Sequence, residues 1–149
     1  MQVEGRFQAH AAAAQVFALF ADPRALLDCL DDPHAVDEIA GDQFGGTITT
    51  GVAFIRGTFR FTGQYEERTP GQRVKARIRG SGLGSAVDAV IQADITSTAG
   101  ESAVAWRADI TLSGPVATIG ERLVRSTIDK KTTGMFEKAR QRLEAATPS

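Results

Sequence analysis

Cys29 is the only cysteine among the 149 residues. An internal disulfide is therefore impossible, and a cysteine-stapled secreted scaffold is excluded. Histidine is nearly as scarce: His10 and His34 are the only two, so a histidine-rich metal centre lacks ligands. Long apolar stretches are missing as well. The longest unbroken one, residues 16–21, has six residues, whereas a membrane-spanning helix needs about 20. The segment 11–21 looks like the core of a secretion signal, but Gln15 interrupts it and Glu4 stands where a signal is basic, so a cytoplasmic protein is expected. Excess charge is absent too: 17 basic residues face 18 acidic ones, which argues against a strongly basic nucleic-acid binder. The charge is nevertheless uneven, −6 over residues 1–50 and +5 over the remainder.

What is present is an ordinary globular composition, 42% hydrophobic and 23% charged, of a length that suits one domain with its own core. The opening alternates: Val3, Gly5, Phe7 and Ala9 share one parity against Gln2, Glu4, Arg6 and Gln8, as a half-buried strand requires. From Ala11 the period changes, with Ala13, Val16, Phe17 and Phe20 recurring at helical spacing. Asp22-Pro23 then reads as the N-cap and first position of a second short helix carrying Leu26, Leu27 and Leu30, closed by Asp31-Asp32-Pro33. Strand-like text follows over 35–40, 43–53, 56–66, 72–80, 86–98 and 102–113, punctuated by Gly41-Asp42, Pro70-Gly71 and Ala99-Gly100. Serial strands with short connections predict an antiparallel meander. Helical spacing returns at Pro115 and predicts one helix over 115–143, ~45 Å long, with Val116, Ile119, Leu123, Ile128, Met135, Phe136, Ala139 and Leu143 on one stripe.

Strand parity carries the functional signal. Val74, Ala76 and Ile78 oppose Arg73, Lys75, Arg77 and Arg79; Val87, Ala89, Ile91, Ala93 and Ile95 oppose Asp88, Gln92 and Asp94, acids placed to pair across to the arginines. Val104, Trp106, Ala108, Ile110 and Leu112 oppose Arg107 and Asp109, and Phe59, Phe61 and Tyr65 share a side. Such a sheet needs a cover, and the C-terminal helix is the element large enough to provide it. A twisted sheet curls, and a straight helix does not fill the concavity when inward positions are as small as Gly5, Ala9, Gly63, Ala76, Ala89, Ala93 and Ala108. An apolar cavity is the expected remainder; a core filled by neighbouring large side chains is the alternative. The candidate ligand-binding residues are Phe7, Phe59, Phe61, Ala76, Ala89, Ile91, Trp106 and Ala108 on the sheet, with Ile119 and Leu123 on the helix.

Catalytic patterns fail on spacing. Residues 80–84, Gly-Ser-Gly-Leu-Gly, lack the full phosphate-loop spacing and join two strands, so a hairpin is expected there. No Gly-x-Ser-x-Gly elbow occurs. Cys29 and His34 suggest a buried thiol rather than a metal site, and Asp31-Asp32, Asp37-Glu38 and Glu66-Glu67 fall at turns and element ends. No cofactor is expected. The C-terminal helix is moderately basic, a solvated face by default and an attraction to an anionic membrane or acidic protein as the sharper reading.

Several segments carry a family resemblance: Glu4-Gly5, residues 26–30 (Leu-Leu-Asp-Cys-Leu), residues 56–59 (Arg-Gly-Thr-Phe), residues 80–84, and residues 114–123 (Gly-Pro-Val-Ala-Thr-Ile-Gly-Glu-Arg-Leu). With the element order, these resemble the START-like, or helix-grip, superfamily (SRPBCC), and within it the CoxG-like family of carbon monoxide dehydrogenase subunits. The resemblance covers nearly the whole chain. It implies an α+β fold with a curved antiparallel sheet of about seven strands, two short helices after strand one and a long C-terminal helix over the concave face. It also implies an accessory role for a carbon monoxide dehydrogenase-type molybdenum hydroxylase, with membrane recruitment and a quinone or lipid in the cavity. Where that family has Pro-Gly after the cysteine segment, this sequence has Asp31-Asp32 before Pro33, so a different cavity-entrance loop is expected. Some relatives carry a membrane-attaching C-terminal extension; the sequence ends at Ser149, which leaves peripheral contact at the inner membrane surface as the expectation. Two other readings stay open: a polyketide cyclase or aromatase-like enzyme using Tyr65, the only tyrosine, and an adaptor with a filled core.

Overall fold

The computed structural model describes residues 1–146. Its elements are β1 (Gln2–Ala9), α1 (Ala13–Phe20), α2 (Pro23–Leu27), β2 (His34–Ala40), β3 (Gln43–Val52), β4 (Ile55–Thr69), β5 (Arg73–Gly82), β6 (Ser85–Thr98), β7 (Glu101–Ser113), α3 (Pro115–Thr118) and α4 (Glu121–Ala146). One seven-stranded sheet runs in the order β1-β7-β6-β5-β4-β3-β2, every pairing antiparallel. Strands β2 to β7 meander, as the short turns between them demand. The first strand pairs with the last, so α1 and α2 carry the chain from one edge of the sheet to the other.

Each connection is anchored for an identifiable reason. The Asp22 carboxylate accepts from the amides of Arg24 (3.0 Å) and Ala25 (3.4 Å), and Pro23 sits where a missing N–H costs nothing, so α2 starts as its cap dictates. Helix α1 has only Ala12 at its N-cap and is held instead by hydroxyls from the sheet. Ser102 donates to the carbonyl of Ala11 (2.7 Å), and Tyr65 donates to that of Phe20 (3.0 Å), both in buried surroundings. Ser85, also buried, accepts from the amide of Val116 (3.0 Å) and fixes α3. Buried carbonyls and amides at helix ends need such partners.

The alternation read from the sequence appears as two faces. On the convex side Arg73 reaches Asp94 (2.6 Å) and Arg77 reaches Asp88 (2.8 Å), cross-strand pairs between β5 and β6. The concave side holds the core. The single helix expected over 115–143 is two: α3 ends at Thr118 with Ile119 as its cap, and α4 begins after Gly120, whose φ of +105° lies outside anything a continuing helix accepts. The longer helix, α4, buries Val124, Ala139 and Leu143 against the sheet and α1. Gly134 does not admit a neighbouring strand, because a side chain placed there would meet open space.

Candidate functional site

The register of β4 to β7 explains why the concave face is hollow. Tyr65, Ala76, Ile91, Ala108 and Val3 line up across five strands, and beside them run Gly63, Ile78, Ala89 and Ile110. In the first row the centre of the sheet is occupied by alanines flanking one isoleucine, and in the second by one alanine between isoleucines. A third row, Val74, Ala93 and Trp106, sets a small residue between larger ones again. Small side chains therefore cluster where the curvature is deepest. Above them α4, α1 and α2 cross without descending to the sheet, and a cavity of about 350 Å³ remains. Phe20, Leu26, Leu27, Ile128, Met135 and Phe136 form its roof. The volume falls within the range of small-molecule sites, and the lining is almost wholly apolar.

Six of the ten expected residues line this cavity: Phe61, Ala76, Ala89, Ile91, Trp106 and Ala108. The other four do not. Phe7 lies behind the wall, buried and stacked on Phe136 at 5.3 Å, in a ring cluster completed by Phe20 and Trp106. Phe59 shares the inward parity but sits too near the end of β4, packed beside Gly82. The expectation for Ile119 and Leu123 rests on one continuous helix over 115–143; the break at Gly120 resets the phase, Val124 takes the buried position, and Leu123 is 50% exposed. Two glycines expected to leave room are also covered. A Cβ on Gly5 would fall 2.8 Å from the Trp106 ring and one on Gly63 2.2 Å from the Phe44 ring, so those aromatics occupy the space that their cross-strand glycines vacate. Sequence reasoning missed the whole roof, for which the stripe Ile128, Met135, Phe136 on α4 and the leucines of α2 were the available signal.

Polar chemistry is withheld from the interior. The two hydroxyl side chains on its wall are both committed to backbone, Tyr65 to Phe20 and Thr132 to the carbonyl of Ile128 (2.8 Å). Burial pushes the Tyr65 phenol up to about 12, the nearby Arg68 opposing it. A group so placed does not exchange protons near neutral pH, which removes the residue on which the cyclase reading depended. Among the described residues no three or more His, Cys, Asp or Glu gather as a metal site.

Charge is concentrated instead along one seam of the roof, between α4 and the loop from Asp28 to Pro33. Lys131 pairs with Asp32 (2.7 Å), Lys138 with Asp31 (2.7 Å), and the Arg142 guanidinium donates to the carbonyl of Asp28 (3.1 Å). Asp32 also accepts from Thr50 on β3 (2.9 Å). Burial works against its charge, but the hydrogen bonds from Lys131 and Thr50 prevail and hold its carboxyl below the usual range. The two acids that stand in place of Pro-Gly thus tie the loop to α4. Beneath the loop, His34 faces the Asp32 carbonyl (2.7 Å) and the Asp28 carboxylate (2.9 Å) through its two ring nitrogens, which raises its pKa above the ordinary value. Cys29 is buried, its thiol directed at the carbonyl of Ala25 (3.5 Å) and pushed up by burial against the pull of Arg142 and Lys138.

Known structures share this architecture. A conserved protein from Geobacillus kaustophilus superposes with a TM-score of 0.87 at 19% identity, over 96% of this chain and 95% of the other. A START superfamily protein from Mycobacterium smegmatis gives 0.73 at 10% identity, over 98% and 99% of the two chains. A protein from Chromobacterium violaceum gives 0.74 at 14% identity, over 99% of both. At these identities the likeness shows a START-like α+β fold. Among curated proteins none matches in sequence. The model of the carbon monoxide dehydrogenase CoxG family matches residues 5–144, nearly the whole chain. The chain belongs to the CoxG family.

Proposed function

We propose that the protein is a non-enzymatic carrier that takes a quinone or a lipid into the cavity beneath α4 and serves a carbon monoxide dehydrogenase-type molybdenum hydroxylase. The observation that carries this reading is the cavity itself: about 350 Å³ with walls of Ala, Ile, Leu and aromatic side chains and no uncommitted hydroxyl. Such a space offers a ligand burial of apolar surface, roughly 25 cal/mol per Å², and almost nothing else. A polar or charged substrate would lose hydration without recovering it. Membership of the CoxG family supports the choice of partner enzyme, and the unpaired thiol of Cys29 is in keeping with a cytoplasmic setting.

Ala89→Phe and Ala108→Phe test it, because both positions form the cavity floor and a phenyl ring there occupies the ligand's space. Trp106, the only tryptophan, lines the same cavity and reports quinone binding by fluorescence quenching. Each variant is expected to weaken quinone or lipid binding at least about tenfold while keeping a cooperative fold, since the added volume enters empty space. Undiminished binding in both variants contradicts the reading.

A further inference from the structure

The turns at the two ends of the sheet are built from different residues. At one end the hairpins are Thr69-Pro70-Gly71-Gln72 and Thr98-Ala99-Gly100-Glu101, polar at their flanks as hairpin chemistry favours. At the other end β3 and β4 are joined through Val52-Ala53-Phe54-Ile55, four consecutive apolar residues, with Ala53 held at a φ of +53°. Phe54 is 82% exposed, the most exposed large hydrophobic side chain among the described residues. The neighbouring β5–β6 turn, at the same end, presents Leu83, 56% exposed, at a φ of +54° where Asn or Gly is usual. Leu83 lies over Gly57 of β4, and Gly84 abuts Pro115 of α3, so the apolar tips are continuous with the α3–α4 joint and exposed Leu123. Three of the four large exposed hydrophobics among the described residues therefore share one end of the molecule.

We infer that this end docks on an anionic phospholipid bilayer, with Phe54 as its principal inserting side chain. Charge selects the occupant. The acids nearby are mostly neutralised within the protein: Glu121 by Arg125, Asp31 by Lys138 and Asp32 by Lys131. Exposed Arg56, Arg122 and Lys130 make no ion pair among the described residues and outnumber unpaired Asp129. Single apolar side chains on separate turns, with cations between them, fit the interface of acyl chains and acidic headgroups, where a protein partner would need a continuous apolar patch. No helix among the described residues is long and apolar enough to cross a membrane, and the docking inferred is peripheral.

Such docking deepens the carrier reading by naming the surface from which a lipophile reaches the cavity. Ile48 of β3 and Ile128 of α4 line the cavity close to this end, on either side of the Lys131–Asp32–Thr50 seam. Vesicle binding requires no ligand, so the two proposals fail separately.

The test is co-sedimentation of the unmodified protein, Phe54→Ser and Arg122→Glu with vesicles of phosphatidylcholine alone and of phosphatidylcholine mixed with phosphatidylglycerol. The unmodified protein is expected to bind the mixed vesicles and to bind neutral ones at least several-fold more weakly. Phe54→Ser should bind the mixed vesicles about tenfold more weakly, Arg122→Glu several-fold more weakly, and both should still quench Trp106 with quinone in the absence of vesicles. Failure to bind the mixed vesicles, or equal binding by Phe54→Ser, overturns the inference. So does a concentration-dependent dimer that Phe54→Ser abolishes, which would assign the tip to a second copy of the chain.

Discussion

The two halves of α4 cover the same sheet in opposite ways. From Phe136 onward the helix is packed solid: Phe136 stacks on Phe7, Ala139 is fully buried, and Leu143 joins the core with α1. Before Phe136 it bridges a hollow, with Ile128, Thr132 and Met135 facing the cavity and Lys131 tied sideways to Asp32. The difference lies in what stands opposite. The C-terminal half meets aromatic rings of β1 and α1, and the N-terminal half meets the alanine-rich centre of β5 to β7. Stability and ligand capacity are thereby assigned to different halves of one helix, and substitutions should affect them separately.

Phe7→Ala should show the largest effect. It removes a buried ring from the packed half and is expected to cost about 3–5 kcal/mol in chemical denaturation, leaving quinone quenching of Trp106 in the surviving folded protein intact. Parallel losses of stability and affinity would erase the distinction between the halves. Gly134→Ala sits where they meet, in open space and at an ordinary helical φ, and should raise stability by about 0.5–1 kcal/mol in the same assay. Lys131→Met breaks the seam on the hollow side. Its expected stability cost is no more than about 1 kcal/mol, because the pair is partly solvated, while ligand release measured by stopped flow should accelerate.

The smallest effect concerns pH. His34 has a raised pKa in the folded protein because the Asp32 carbonyl and Asp28 carboxylate favour its charged form. Its contribution is therefore complete below about 6.5, the unfolded value, and is lost as pH rises through the higher folded value. His34→Gln should flatten the fall in stability just above that point, measured as denaturation midpoints across the range. An unchanged profile would remove His34 from the account.

The fold was legible because its determinants are local. Parity along β5, β6 and β7, the Asp22-Pro23 cap and the glycine-marked turns all act within a few residues, and the structure follows them. The cavity floor followed from the same alternation. Its roof and ends did not, because they depend on register between distant segments. Nothing within 44–63 reveals that the Phe44 ring lies over Gly63 until β3 and β4 are paired, and the same holds for Trp106 over Gly5. Gly120 is visible in the sequence as an interruption, but its positive φ, which turns Ile119 and Leu123 away from the cavity, is a property of the joint and not of the composition.

The central claim is that the alanine-floored hollow carries a lipophile. Native mass spectrometry of gently purified protein addresses it most directly. A mass increment matching a quinone or lipid, present in the unmodified protein and absent from Ala89→Phe and Ala108→Phe, is the predicted result. An unliganded mass that stays unchanged after incubation with quinones and lipids would contradict it.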